Sequence, residues 1–167
     1  RDGFRCPLSN LIMGETAEVL ARQYGITRAD SDSYALESQR RAEVAIKAGK
    51  FRDEIVPVKV TGRDGETETI ESDEHPRFGL TIESLEKLTP VFDEVEGQPG
   101  IVTAGSSSGI TDGGAALMLT TADRAKIMGR VPLAKLSGWA SAGVDPRIMG
   151  IGPVPAIHKL CQRLDLP

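Results

Sequence analysis

Residues 103–119, TAGSSSGITDGGAALML, set three serines between Gly105 and Gly109 and then run into an apolar tract. A serine esterase needs Gly-x-Ser-x-Gly on a strand-turn-helix elbow, with a histidine and an acid brought in by the fold. Ser107 has that spacing, but Ile110 to Gly114 and another apolar run follow it instead of a helix. The two histidines sit elsewhere, His75 in a Pro-flanked acidic stretch and His158 on a predicted helix. A phosphate loop needs a lysine after its glycines, and none is present. Two readings stay open for these residues. One is a small-residue loop whose backbone N–H groups and hydroxyls let an extended ligand approach closely. The other is a plain connector.

Outward from the loop, the chain changes character. Residues 115–121, AALMLTT, have the continuous apolar run of a strand buried on both faces. Residues 122–129 predict a helix with a glycine stop, 132–143 a second strand, and 153–164 a helix with Pro153 or Pro155 in its first turn. Strand, helix, strand, helix is the pattern of a layered α/β sheet. Upstream the pattern differs. Met13, Ala17, Leu20, Ala21 and Tyr24 recur at helical spacing until Gly25. Thr27 predicts the N-cap of a helix running to Gly49, with Asp30 in the capping-box position. Its expected apolar stripe is Tyr34, Ala35, Ser38, Arg41, Ala42, Ala45 and Ile46. Residues 54–60 predict a strand that Pro57 confines to an edge. Residues 61–69 are expected to form a polar turn, 81–88 a short helix capped by Thr81, and 93–100 a loop. The change falls near residue 110.

Composition narrows the function. The chain has 167 residues, 40% of them hydrophobic and 26% charged, as in an ordinary globular protein. A net charge of −4 supplies no positive field for nucleic acid or an anionic membrane. No run approaches the roughly 20 apolar residues needed to span a bilayer. Cys6 and Cys161 stand far apart, and neither has a second Cys or His at metal-ligand spacing, so no metal site is expected. Nothing near Cys6 in sequence supplies a base or lowers its pKa. Cys161 lies beside Leu160 and Leu164 on the last predicted helix, as a packed residue would. Met13 and Met149 each precede a glycine, a placement that suits core packing or the lining of a thioester channel.

Four stretches together resemble the interior of a thiolase, the acetyl-CoA C-acyltransferase family. They are residues 13–58, beginning MGETAEVLARQYG; LTPVFD at 88–93; VTAGSSSGITDGGAALML at 102–119; and AGVDPRIMGIGPVPAI at 142–157. They cover nearly the whole chain in order. The pairing of VTAG…SG…DGGAAL with MGIGPVPA is highly specific. The resemblance implies an α/β, thiolase-like fold, here partial. Residues 1–110 would be the coenzyme A (CoA)-binding loop domain, 111–129 the end of the N-terminal core half, and 130–167 the start of the C-terminal half. It also implies ping-pong acyl transfer, in which one cysteine is acylated, a Gly-His-Pro histidine activates it, and a Cys-x-Gly cysteine acts as acid and base. None of those motifs occurs in this sequence, and both ends look cut. The chain alone is therefore expected to be inactive, with no catalytic residue of its own.

For the site, the resemblance places Ser108 and Ala104 along the pantetheine arm of CoA. It places Arg77 near the nucleotide end, Ser84 and Phe92 at the adenine, and Met13 and Met149 near the acyl group. CoA or an acyl-CoA enters as substrate, with no permanently bound cofactor. Expected partners are acyl-CoA or 3-ketoacyl-CoA, with no nucleic acid and no membrane span, in a parent homodimer or homotetramer. The expected setting is intracellular: cytoplasmic in a bacterium, mitochondrial or peroxisomal in a eukaryote. Ile12 stands where short-chain biosynthetic members carry histidine, which leans toward a degradative enzyme accepting longer chains. Ser106 stands where many members have asparagine. The rival readings are a thiolase-like protein that holds CoA esters without cleaving them, and an inactive structural or interaction fragment.

Overall fold

The computed structural model describes residues 3–111 and 113–167. Asp112, inside the quoted loop motif, and the first two residues lie outside the described residues. The chain divides into two compact units, Ala21–Gly109 and Arg1–Leu20 with Ile110–Pro167.

Helix α1 (Met13–Tyr24) ends where Gly25 adopts φ +65°, a left-handed conformation that costs glycine little. Its buried residues are Thr16, Glu18 and Ala21. The expected stripe is mostly open: Met13, Ala17 and Tyr24 are exposed. Helix α2 (Arg28–Lys47) starts at the anticipated capping box, with Thr27 and Asp30 each taking the other's backbone N–H. Gly49 at φ +66° follows its end. Here too the stripe is shallower than the sequence suggests. Tyr34 is 81% exposed, and the fully buried residue of the helix is Asp32.

In the unit Ala21–Gly109, strand β1 (Val58–Thr61) begins directly after Pro57, which has no N–H for a ladder. It pairs antiparallel with β2 (Thr67–Ile70), Val58 opposite Ile70 and Thr61 opposite Thr67. The expected polar turn is thus shorter than 61–69. The alternating Thr67 and Thr69 suit a pleated strand, and the reversal is confined to Gly62–Glu66, closed by Gly62 N–H to the Glu66 carbonyl at 2.8 Å. Helix α3 (Ile82–Glu86) follows. The stretch read as a loop at 93–100 holds a tight hairpin of β3 (Glu94–Val95) and β4 (Gln98–Pro99), with Glu96 and Gly97 both at positive φ. Leu85, Val95 and Thr103 are buried in this unit.

In the other unit, Arg5 and Ile12 form an antiparallel bridge. Helix α4 (Ala122–Ile127) is capped by the Thr121 hydroxyl and followed by Gly129 at φ +63°. A 3₁₀ helix at Pro146–Ile151 leads into α5 (Pro153–Leu164), with Pro153 in its first turn as expected. The two strands read at 115–121 and 132–143 do not form. A strand exists through ladder hydrogen bonds to a neighbour, and among the described residues no segment pairs with either run. Leu117 is 89% exposed and Trp139 75%. The later run is held at its end by α5: Gly138 lies against Leu160 and Leu164, and Arg163 donates to the Trp139 carbonyl at 3.1 Å. No helix among the described residues is long and apolar enough to cross a membrane.

Candidate functional site

The serine loop is a self-bonded turn. Thr103 is fully buried, and its N–H donates to the Ser106 hydroxyl at 2.9 Å. The Ser106 N–H returns to the Thr103 carbonyl at 3.2 Å, and Gly105 N–H donates to the Thr103 hydroxyl at 3.2 Å. Ser106 is thus occupied within the loop, while Ser107 and Ser108 are exposed. Small hydroxyl residues make such local turns because their side chains reach backbone groups two or three positions away.

The loop is seated on α3. A Cβ placed on Gly105 would fall 2.4 Å from Leu85 Cδ2 and 2.9 Å from Leu88 Cδ1, so only glycine permits this approach. An antiparallel bridge of Pro90 with Thr103, backed by Val91 N–H to the Val102 carbonyl at 2.8 Å, ties the entry of the loop to the segment after α3. Helix α3 is in turn fixed by α2. Arg28 Nη2 donates to the carbonyls of Leu85 and Leu88 at 2.8 and 2.9 Å, satisfying the open end of α3. Its Nε donates to buried Asp32 at 2.7 Å.

A third segment, 75–79, reaches both structures. The His75 ring lies over Gly109, where a Cβ would fall 2.2 Å from Nε2. Arg77 N–H donates to Gln39 Oε1 at 2.8 Å and Gly79 N–H to Glu43 Oε2 at 3.1 Å, both on α2. Lys47 sits 5.5 Å from the Phe78 ring centroid. The Lys47 ammonium and the Gly79 N–H hold the Glu43 carboxyl below its ordinary pKa.

These contacts define where the sequence-derived residues lie. Arg77, Ser84, Phe92, Ala104 and Ser108 all belong to the unit Ala21–Gly109. Ser84 is in α3, its hydroxyl donating to the Thr81 carbonyl at 2.6 Å. Phe92 and Ala104 each lie one residue beyond the paired stretch that holds the loop entry. Ser108 lines a groove of about 640 Å³ between the loop and α2, with Ser31, Tyr34, Ser38 and Gln39. Arg77, Ser84, Phe92 and Ala104 are outside that groove. Met13 and Met149 belong to the other unit, and both are exposed.

Sequence reasoning missed three features here. The Arg28–Asp32 pair was visible in principle as opposite charges four residues apart at a helix start. The contact of His75 with Gly109 spans 34 positions and leaves no local signal. The third is Cys6, whose thiol is held below its ordinary pKa by the Ser9 hydroxyl and then by the N–H groups of Ser9 and Leu8. That corrects the expectation that nothing near it lowers its pKa. The cause is a tight turn, closed by Asn10 N–H to the Cys6 carbonyl at 2.8 Å.

Comparison with known proteins gives one family description, thiolase, N-terminal domain, matching residues 1–123. The chain is 46% identical to the acetyl-CoA acetyltransferase of Allochromatium vinosum over 97% of its own length and 40% of that protein. It is 52% identical to the beta-ketoadipyl-CoA thiolase of Pseudomonas aeruginosa, over 92% of this chain and 37% of that protein. Among solved structures, human mitochondrial 3-ketoacyl-CoA thiolase in complex with CoA superposes with a TM-score of 0.85 at 41% identity, covering 99% of this chain and 40% of the other. The chain thus spans about two fifths of the length of the relatives it matches.

Proposed function

The chain belongs to the thiolase family, and from that premise we propose that the whole protein is a 3-ketoacyl-CoA thiolase to which this chain contributes CoA-binding elements. In such a reaction an enzyme thiolate attacks the 3-keto carbonyl and the C2–C3 bond breaks. Acetyl-CoA leaves after its carbanion takes up a proton. The thiolate of a second CoA then attacks the acyl-enzyme thioester and releases both the shortened acyl-CoA and the enzyme cysteine. On this reading the reacting cysteine and its base come from elsewhere in the protein, and the chain by itself forms no acyl adduct.

The observation that carries the proposal is the serine loop. Its hydrogen bonds are closed within the turn, so Ser107 and Ser108 are presented on a fixed backbone. The adjoining groove has the size of a small-ligand site, and its mostly apolar surface, from Ile26, Tyr34 and Ala35 among others, is dotted with hydroxyl and amide groups beside the carboxyl of Asp30. Such a surface suits the amide-bearing pantetheine arm. Arg77, exposed on a segment braced against α2, suits the phosphate end.

Calorimetric titration of CoA into the chain and two variants tests this. Ser108→Ala removes a neutral hydrogen bond worth roughly 0.5–1.5 kcal/mol, up to about tenfold in affinity and nearly independent of salt. Arg77→Ala should weaken binding at low salt and matter less at high salt, because exposed charges are screened within about 10 Å at 0.1 M. CoA binding that neither substitution weakens would remove both residues from the site.

A further inference from the structure

We propose that His75 is a positioning residue that sets the spacing between Ser108 and Arg77, so that one ligand can be held at both ends. The inference rests on the reading of those two residues as CoA contacts.

The geometry is that of a strut. The edge of the His75 ring approaches Gly109 so closely that a Cβ there would lie 2.2 Å from Nε2, 2.3 Å from Cε1 and 3.0 Å from Cδ2. Real Cβ atoms essentially never come so near another atom, so a methyl at Gly109 would push the exposed ring off its place and remove the brace. Gly109 directly follows Ser108, and the ring therefore braces the exit of the serine loop, while Thr103 and Gly105 fix its entry and base. Two residues after His75, Arg77 is anchored by its own N–H to Gln39, and Gly79 by its N–H to Glu43. The strut thus has Ser108 at one end and the backbone of Arg77, pinned to α2, at the other. CoA has a polyanionic end and a long neutral arm, and it senses the distance between these points. A ligand lacking the arm does not.

The experiment uses two probes, CoA and 3′-phosphoadenosine 5′-diphosphate, which keeps the nucleotide and lacks the pantetheine arm. Removing the brace lets the loop exit move and returns an ordering cost to the binding step. His75→Ala should weaken CoA by about five- to tenfold, while binding of the nucleotide probe stays within about twofold. Gly109→Ala should weaken CoA in the wild-type background, where the new methyl meets the ring. It should be tolerated in the His75→Ala background, where that space is open. Circular dichroism follows folding throughout, and His75→Asn, which shortens the side chain but keeps a planar polar group, serves if His75→Ala loses its fold. Equal losses for both probes would assign His75 a purely structural role and overturn the proposal. So would a Gly109→Ala chain that binds CoA as wild type does. A wild-type chain that binds no CoA would overturn the reading that this chain supplies CoA-binding elements, and this inference with it.

Discussion

Gly105→Ala puts the seat of the serine loop under direct test. The added methyl would lie 2.4 Å from Leu85 Cδ2 and 2.9 Å from Leu88 Cδ1. An ordinary carbon–carbon contact is about 3.5 Å, so the shortfalls are about 1.1 and 0.6 Å. Leu85 is 1% exposed and cannot swing into solvent. One relief is an off-rotamer Leu85, at about 0.5–1.5 kcal/mol. The other is a lifted loop that loses Thr103 and Ser106 hydrogen bonds, each about 0.5–1.5 kcal/mol. Overpacking of this kind costs about 1–3 kcal/mol in total. For a unit of this size, that lowers Tm by roughly 4–24 °C. Thermal and urea unfolding followed by circular dichroism measures it. Gly143→Ala is the control, because a Cβ there meets nothing within 4 Å. A double-mutant cycle with Leu85→Ala adds specificity, since two groups in contact must give less than the sum of their separate losses. If Gly105→Ala unfolds with the control and adds fully to Leu85→Ala, the loop does not rest on α3.

Two further outcomes follow from the charges of α2. Arg28→Ala strands buried Asp32 and removes the Arg28 bonds to the Leu85 and Leu88 carbonyls, so urea unfolding should show a loss of about 3–5 kcal/mol. The double variant with Asp32→Ala should lose less than the sum, and a loss below about 0.5 kcal/mol for Arg28→Ala alone would contradict the geometry. Glu37 accepts hydrogen bonds from Arg40 and Arg41, which lower its pKa from 4.5 to about 2. A depressed carboxyl pKa contributes stability above the ordinary value and loses it as pH falls through the lowered one, so this contribution should fade between about pH 4.5 and 2. Carbon-detected NMR titration should find the Glu37 midpoint near the lower limit, and a midpoint at 4.5 would mean that the pairs do not persist in solution.

Legibility in the sequence tracked the range of the forces involved. The capping box of Thr27 and Asp30, the stops at Gly25, Gly49 and Gly129, and Pro153 opening α5 are set by neighbours within a few residues, and all appear as expected. Burial was read less well. Tyr34 has helical spacing in common with Ala35 and Ala42, yet spacing alone does not say which face another element covers. The runs at 115–121 and 132–143 failed for a related reason: their composition suits strands, but pairing depends on a partner that composition does not supply. At the candidate site, the unusual loop was visible from its glycines and serines. Its anchors were not, because Arg28 meets Leu85 and Leu88 across more than fifty positions, and His75 meets Gly109 across 34.

The unpaired run at 115–121 also governs how this chain, taken by itself, behaves in solution. AALMLTT carries no charge and no proline, and Leu117, Met118 and Leu119 are each at least 75% exposed. Short apolar segments of this kind, with open backbone groups, are the ones that stack into intermolecular β-structure. Colloidal stability therefore depends on concentration, and a net charge of −4 gives only modest mutual repulsion. Ionic strength then acts twice in any titration of this chain, weakening a charged ligand's grip while also bringing the molecules closer to one another.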